Sequence, residues 1–142
     1  MLMKDKNQQL FDELRAINLP SDQYAIVASG PLGIRGLRDM SDIDILVTDN
    51  LWAELKKKYT EVFDHEASKL RVSPNIEAFH DGSFGESIPG SPTVREQIKG
   101  REYINGLPFQ SIQTALYFKR LGAREKDIED VKLIEGWLRE NS

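Results

Sequence analysis

The sequence predicts a mixed α/β domain, with helices packed on a central twisted sheet of mixed strand direction. Three observations carry this prediction. Helical spacing of apolar residues occupies both ends of the chain, and strand-like runs fill the middle. The composition, 39% hydrophobic and 30% charged, is that of a folded globular chain rather than a disordered one. A length of 142 residues suits one domain with its own core. That domain divides into a helical start (about 1–22), a sheet core (about 23–106) and a helical pair (about 107–142).

Leu10, Phe11, Leu14 and Ile17 fall at helical spacing, so residues 6–18 form an amphipathic helix stopped by Pro20. Tyr24-Ala-Ile-Val-Ala-Ser29 is a short apolar run, the mark of a buried strand. Gly30-Pro31-Leu32-Gly33 demands a turn, after which residues 33–37 can form a short helix. Residues 42–48 give the clearest strand, with Ile43, Ile45 and Val47 on one face. Asp49 or Asn50 can cap a helix over 51–59. Residues 60–80 hold two or three strands, around Val62, around 70–72 and over 75–80. The glycine, serine and proline content of residues 81–92 predicts a loop, read either as a lid or as plain connection. A short helix (94–99), a short strand (102–105) and helices over 111–121 and 125–140 complete the chain. The last helix would point Ile128, Val131, Ile134, Trp137 and Leu138 inward.

Composition also excludes function classes. There is no cysteine and there are only two histidines, so neither a disulfide framework nor a thiolate or histidine-rich zinc site is expected. Any metal should be a hard ion held by oxygen. The first residues lack the apolar stretch of a secretion signal, and no apolar run approaches membrane-spanning length, so a cytoplasmic protein with no membrane partner is expected. A formal charge of −4 and a pI near 5.2 argue against a dedicated binder of long nucleic acid. They leave room for a local basic pocket that takes one nucleotide.

Asp42 and Asp44 sit two apart on a strand, so both carboxylates emerge from one face. Held that close they repel, and a divalent cation between them removes the conflict. Mg²⁺ accepts oxygen ligands while leaving positions for phosphate. A D-x-D pair on its own also fits a solvent-facing strand surface. Glu77, within a later strand-like run, is either a third ligand or an ordinary edge glutamate.

The segment from Gly30 to Asp44, ending Ser41-Asp42-Ile43-Asp44, resembles the G-S…S-D-I-D signature of the DNA polymerase β-like nucleotidyltransferase superfamily. The resemblance implies that superfamily's fold, with Asp42, Asp44 and Glu77 as the metal-binding and catalytic acids. It implies Mg²⁺ as cofactor (two ions with bound nucleotide) and Gly30 at the triphosphate. One position departs: Pro31 stands where the signature has serine, and proline offers neither a hydroxyl nor an N–H. Ser29, on the other side of Gly30, is the available replacement.

Arg35 and Arg38 lie three apart after the glycine turn and are either phosphate ligands or a solvated helix face. The segment Lys119…Arg124-Glu-Lys126-Asp127…Asp130 resembles a K…R-x-K-D-x-x-D run near the end of several nucleotidyltransferase-like families, phage-defence toxins among them. Lys119 and Lys126 would then reach the triphosphate. Asp127 and Asp130 fit the dipole of a helix start equally well. The expected nucleotide-binding set is Ser29, Gly30, Arg35, Arg38, Ser41, Lys119 and Lys126. The expected activity is transfer of a nucleoside monophosphate from a nucleoside triphosphate to a hydroxyl of a small molecule, a protein or tRNA, with the first two acceptors favoured by the acidic pI. The alternative is a catalytically weak or inactive relative that regulates a protein partner, such as one half of a toxin–antitoxin pair.

Overall fold

The computed structural model describes residues 5–64, 67–80 and 88–142. In chain order these form α1 (Asp5–Ile17), β1 (Tyr24–Val27), α2 (Gly30–Gly33), β2 (Ile43–Val47), α3 (Asp49–Lys56), β3 (Glu61–Asp64), β4 (Ala67–Ser73), β5 (Ile76–Phe79), α4 (Val94–Lys99), β6 (Glu102–Ile104), β7 (Leu107–Phe109), α5 (Ile112–Gly122) and α6 (Glu125–Glu140). The strands make one seven-stranded sheet in the order β3-β4-β5-β2-β1-β7-β6. Pairings β2–β5 and β1–β7 are parallel and the remainder antiparallel, so the sheet is mixed as expected. Among the described residues no helix is long and apolar enough to cross a membrane.

Helices cover both faces of the sheet, which is why its central strands are apolar on both sides. On one face Leu10, Phe11 and Leu14 of α1 and Leu51 and Leu55 of α3 pack on Ile26, Ile43, Ile45 and Ile76. On the other, Val27, Leu46 and Phe79 form a small cluster under Val94 of α4. Leu32 of α2 joins Ile112, Ala115, Leu116 and Ile134 of the C-terminal helices in a third cluster. Asn7 links α1 to the segment before β2. Its fully buried amide donates to the carbonyls of Gly33 (3.2 Å) and Arg38 (2.8 Å) and accepts from the Met40 N–H (2.8 Å).

Several expectations are corrected. The strand expected over 24–29 stops at Val27, because Ala28 takes a left-handed backbone (φ 56°) that turns the chain. The short helix begins at Gly30, not Gly33, with Pro31 in its first turn, where a missing N–H goes unnoticed. Thr48 caps α3 rather than Asp49 or Asn50: its hydroxyl accepts the Leu51 N–H at 3.2 Å. The sequence reading placed residues from about 107 onward in the helical pair, but Leu107–Phe109 form strand β7, with Pro108 at its centre. It nonetheless runs beside β1 inside the sheet. At the end of α5 the left-handed residue is Ala123 (φ 52°), one position after Gly122. Ile128 is 50% exposed and points away from the core, unlike Ile134. Of the expected loop over 81–92, residues 81–87 lie outside the described residues.

Candidate metal centre

Strand register assembles the site. In the antiparallel β1–β2 pair Val27 faces Asp44, and in the parallel β2–β5 pair Asp44 faces Glu77. Residues in register share a face of the sheet, so Glu77 lands beside Asp44. Asp42 immediately precedes β2 and joins them. One carboxylate oxygen from each of Asp42, Asp44 and Glu77 lies within 4.8 Å of the other two. The three acids that the sequence reading selected are therefore neighbours in space.

Asp44 pays the electrostatic penalty of this arrangement. Burial, then the charge of Asp42, then that of Glu77 push its carboxyl up to about 7 from 3.8, against the pull of Lys69 and Lys126. Glu77 is held differently. Lys69 Nζ sits 3.1 Å from its Oε2 and Arg71 Nη2 sits 3.3 Å from the same oxygen, both reaching over from β4. Arg71 and Glu77 are partners in the β4–β5 register, which explains the contact. Sequence reading missed both cations. The alternation Lys69-Leu70-Arg71-Val72 was a signal for a strand with a basic face, but not for what that face meets.

The donor set suits a hard divalent cation. Oxygens sharing one octahedral Mg²⁺ lie about 3–4 Å apart, given metal–oxygen bonds of about 2.1 Å. Side-chain rotation closes the remaining distance from 4.8 Å. A cation would also relieve the burial of repelling charge at Asp44.

The expected phosphate ligands divide into two groups. Arg35 donates to Glu102 (2.9 Å) and to the Pro31 carbonyl (2.8 Å) and lies 4.6 Å from the centre of the Trp137 ring, so it staples α2 to the sheet edge and α6. Arg38 Nη1 contacts Asp130 Oδ1 at 2.6 Å, and Lys119 Nζ contacts Asp130 Oδ2 at 3.0 Å, with Asp130 buried. These three cations are engaged by protein groups. The spacing of Arg35 and Arg38 suggested a common side of a helix, but the helix ends before Arg35. Lys126, by contrast, is exposed and close enough to Asp44 to act on its charge. Ser41 is exposed beside Asp42, and Ser29 precedes α2 with its carbonyl accepting the Gly33 N–H at 2.8 Å.

Gly30 is buried against β1. A Cβ there would stand 2.2 Å from Ile26 Cγ2, in the fully buried layer of the sheet. Gly30→Ala should therefore destabilise the protein by about 1–3 kcal/mol through overpacking, read as a lower urea midpoint at unchanged slope. A midpoint equal to that of the natural chain would show that the turn yields freely.

No protein-family model matches the chain, and no curated protein matches it either.

Proposed function

We propose that the protein is a metal-dependent nucleotidyltransferase of the DNA polymerase β-like kind, moving a nucleoside monophosphate from a nucleoside triphosphate to an acceptor hydroxyl. The observation that carries this reading is the convergence of Asp42, Asp44 and Glu77 on adjacent strands, one strand away from the glycine turn that follows β1. Asp42, Asp44 and Glu77 would hold Mg²⁺, which when bound supplies charge neutralisation at the phosphates and a lower pKa for the attacking hydroxyl. The chain's own groups set the stage for that ion. Lys69 and Arg71 hold the Glu77 carboxylate in place. The Asp44 carboxyl, pushed up to about 7 by burial and by its acidic neighbours, is poised to titrate near neutral pH. Lys126 adds an exposed positive charge, within electrostatic reach of Asp44, for a triphosphate to meet. The net charge of −4 favours a small-molecule or protein acceptor over RNA. A cytoplasmic setting supplies both Mg²⁺ and nucleoside triphosphates.

A second reading, a catalytically weak relative acting through a protein partner, draws support from one structural feature. Lys69 and Arg71 already balance Glu77, so part of the cluster's charge is compensated without a metal. Pro31 at the turn also lacks the hydroxyl and N–H of the signature serine.

Calorimetric titration separates the two. With Mg²⁺ present, the natural chain is expected to bind a nucleoside triphosphate, and the Asp42→Asn/Asp44→Asn double variant to bind at least about tenfold more weakly, the loss of one charge-assisted contact or more. Equal binding by both proteins, or none by the natural chain, would leave the second reading in possession.

A further inference from the structure

A cavity of about 420 Å³ opens beside the acidic cluster, between the end of β1 and the α5–α6 turn. Val27, the register partner of Asp44, forms part of its wall. Its volume lies within the usual range of small-molecule sites. The lining is mostly apolar, including Ala115 and Phe118, with the ion-paired Lys119, Arg124 and Asp127 at the helix turn and one buried amide, Gln110.

The orientation of that amide is dictated by its neighbours. The Pro92 carbonyl can only accept, so Gln97 must present its NH₂ there (3.3 Å) and turn its Oε1 the other way. That oxygen can only accept in turn, so Gln110 must give it Nε2–H, and does so at 2.8 Å. Both glutamines are 3% exposed, so water cannot readily reverse this relay. Gln110 Oε1 is left without a protein partner among the described residues, on a side chain that lines the cavity. The cavity thus combines apolar walls with the Gln110 acceptor and the charged groups of the helix turn, and it borders the strand next to β2, which carries Asp44.

We propose that this cavity receives the base of the nucleotide, with Gln110 Oε1 accepting a hydrogen bond from an exocyclic amine on the base edge. A base pairs apolar faces with a polar edge, as the cavity does. An amine at purine position 6 or pyrimidine position 4 satisfies the acceptor, whereas a carbonyl at that position sets two lone pairs against each other. The inference rests on the nucleotidyltransferase reading and adds to it a preference for amino-bearing over oxo-bearing bases.

The test compares matched ligands by calorimetry in Mg²⁺: ATP with ITP, CTP with UTP, and inorganic tripolyphosphate, which has no base. The amino member of at least one pair is expected to bind about tenfold more tightly than its oxo partner and than tripolyphosphate. Gln110→Met should remove that preference while leaving tripolyphosphate affinity in place. Loss of binding to all five ligands would refute the nucleotidyltransferase reading and this inference with it. Equal affinity for both members of each pair would refute the base site alone, with the metal–triphosphate reading intact. Preference that persists in Gln110→Met would refute the role of Gln110. If that variant does not fold, judged by its thermal melt, the two matched pairs on the natural chain still decide the outcome.

Discussion

Asp44→Asn is expected to reduce the proposed nucleotidyl transfer at least about a thousandfold, while making the metal-free protein more stable at pH 8. Opposite effects on activity and stability follow from one property of the site. Asp44 is an acid whose folded-state pKa is raised to about 7 from 3.8. Between those values the folded protein binds a proton that the unfolded chain has released, so stability falls as pH rises through the interval and levels off above it. The interval corresponds to at most about 4 kcal/mol. Asparagine has no charge to bury and escapes this loss, so the variant should melt several degrees above the natural chain at pH 8. At pH 4 the two should converge, because Asp44 is then neutral in the folded protein. Mg²⁺ should stabilise the natural chain at pH 8 by about 1.4 kcal/mol for each tenfold excess over its Kd, seen as a higher melting temperature, and leave the variant unmoved. Melts at pH 4, 6 and 8, in chelator and in Mg²⁺, check all three statements. A variant that melts below the natural chain at pH 8, or that gains equally from Mg²⁺, would remove the claim that these carboxylates repel one another and bind the cation together.

Why the acids were readable in the sequence, and the cations beside them were not, is a matter of range. Asp42 and Asp44 lie next to and within a strand whose alternation of isoleucines and valine fixes which way each side chain points, so their common face follows from a period of two. Glu77 was accessible because a strand of the same character carries it. Its approach to Asp44, however, depends on β5 pairing in parallel with β2, a long-range choice that no local pattern encodes. Lys69 and Arg71 depend on a further register, across the β4–β5 pair, that shifts between Arg71 and Ser73. The same limit explains β7. Local chemistry at Pro108 argues against a strand, and pairing on both sides, antiparallel to β6 across the Asn105-Gly106 turn and parallel to β1, overrides it.

Basic residues illustrate a different limit. Arg35, Arg38 and Lys119 look alike in sequence, each a cation near a glycine turn. What separates them from Lys126 is the neighbour each one meets. Arg35 finds Glu102 and the Trp137 ring, whereas Lys126 finds solvent and the field of Asp44. Helical periodicity located α5 and α6 well, yet it misplaced Ile128. A helix at the edge of a small domain buries a narrow stripe, and Ile128 lies outside it.

The engagement of Arg38 and Lys119 leads to the largest stability effect expected in the molecule. Asp130 is 1% exposed and joins three segments: the turn after α2 through Arg38, α5 through Lys119, and its own helix α6. Asp130→Ala removes the shared anion and leaves the Lys119 ammonium, itself 9% exposed, without its nearest partner. Breaking a buried pair from one side costs about 3–5 kcal/mol, a fall of roughly 10 °C in melting temperature for a chain of this size. Asp130→Asn keeps the shape but not the charge, so it should fall between the two. If Arg38 and Lys119 instead serve mainly as triphosphate ligands, Asp130→Ala would free them, and nucleotide affinity would rise with little change in stability. Melting and titration of the same three proteins therefore assign these cations either to the fold or to the ligand. The 2.6 Å and 3.0 Å contacts to a single buried carboxylate place the expectation with the fold.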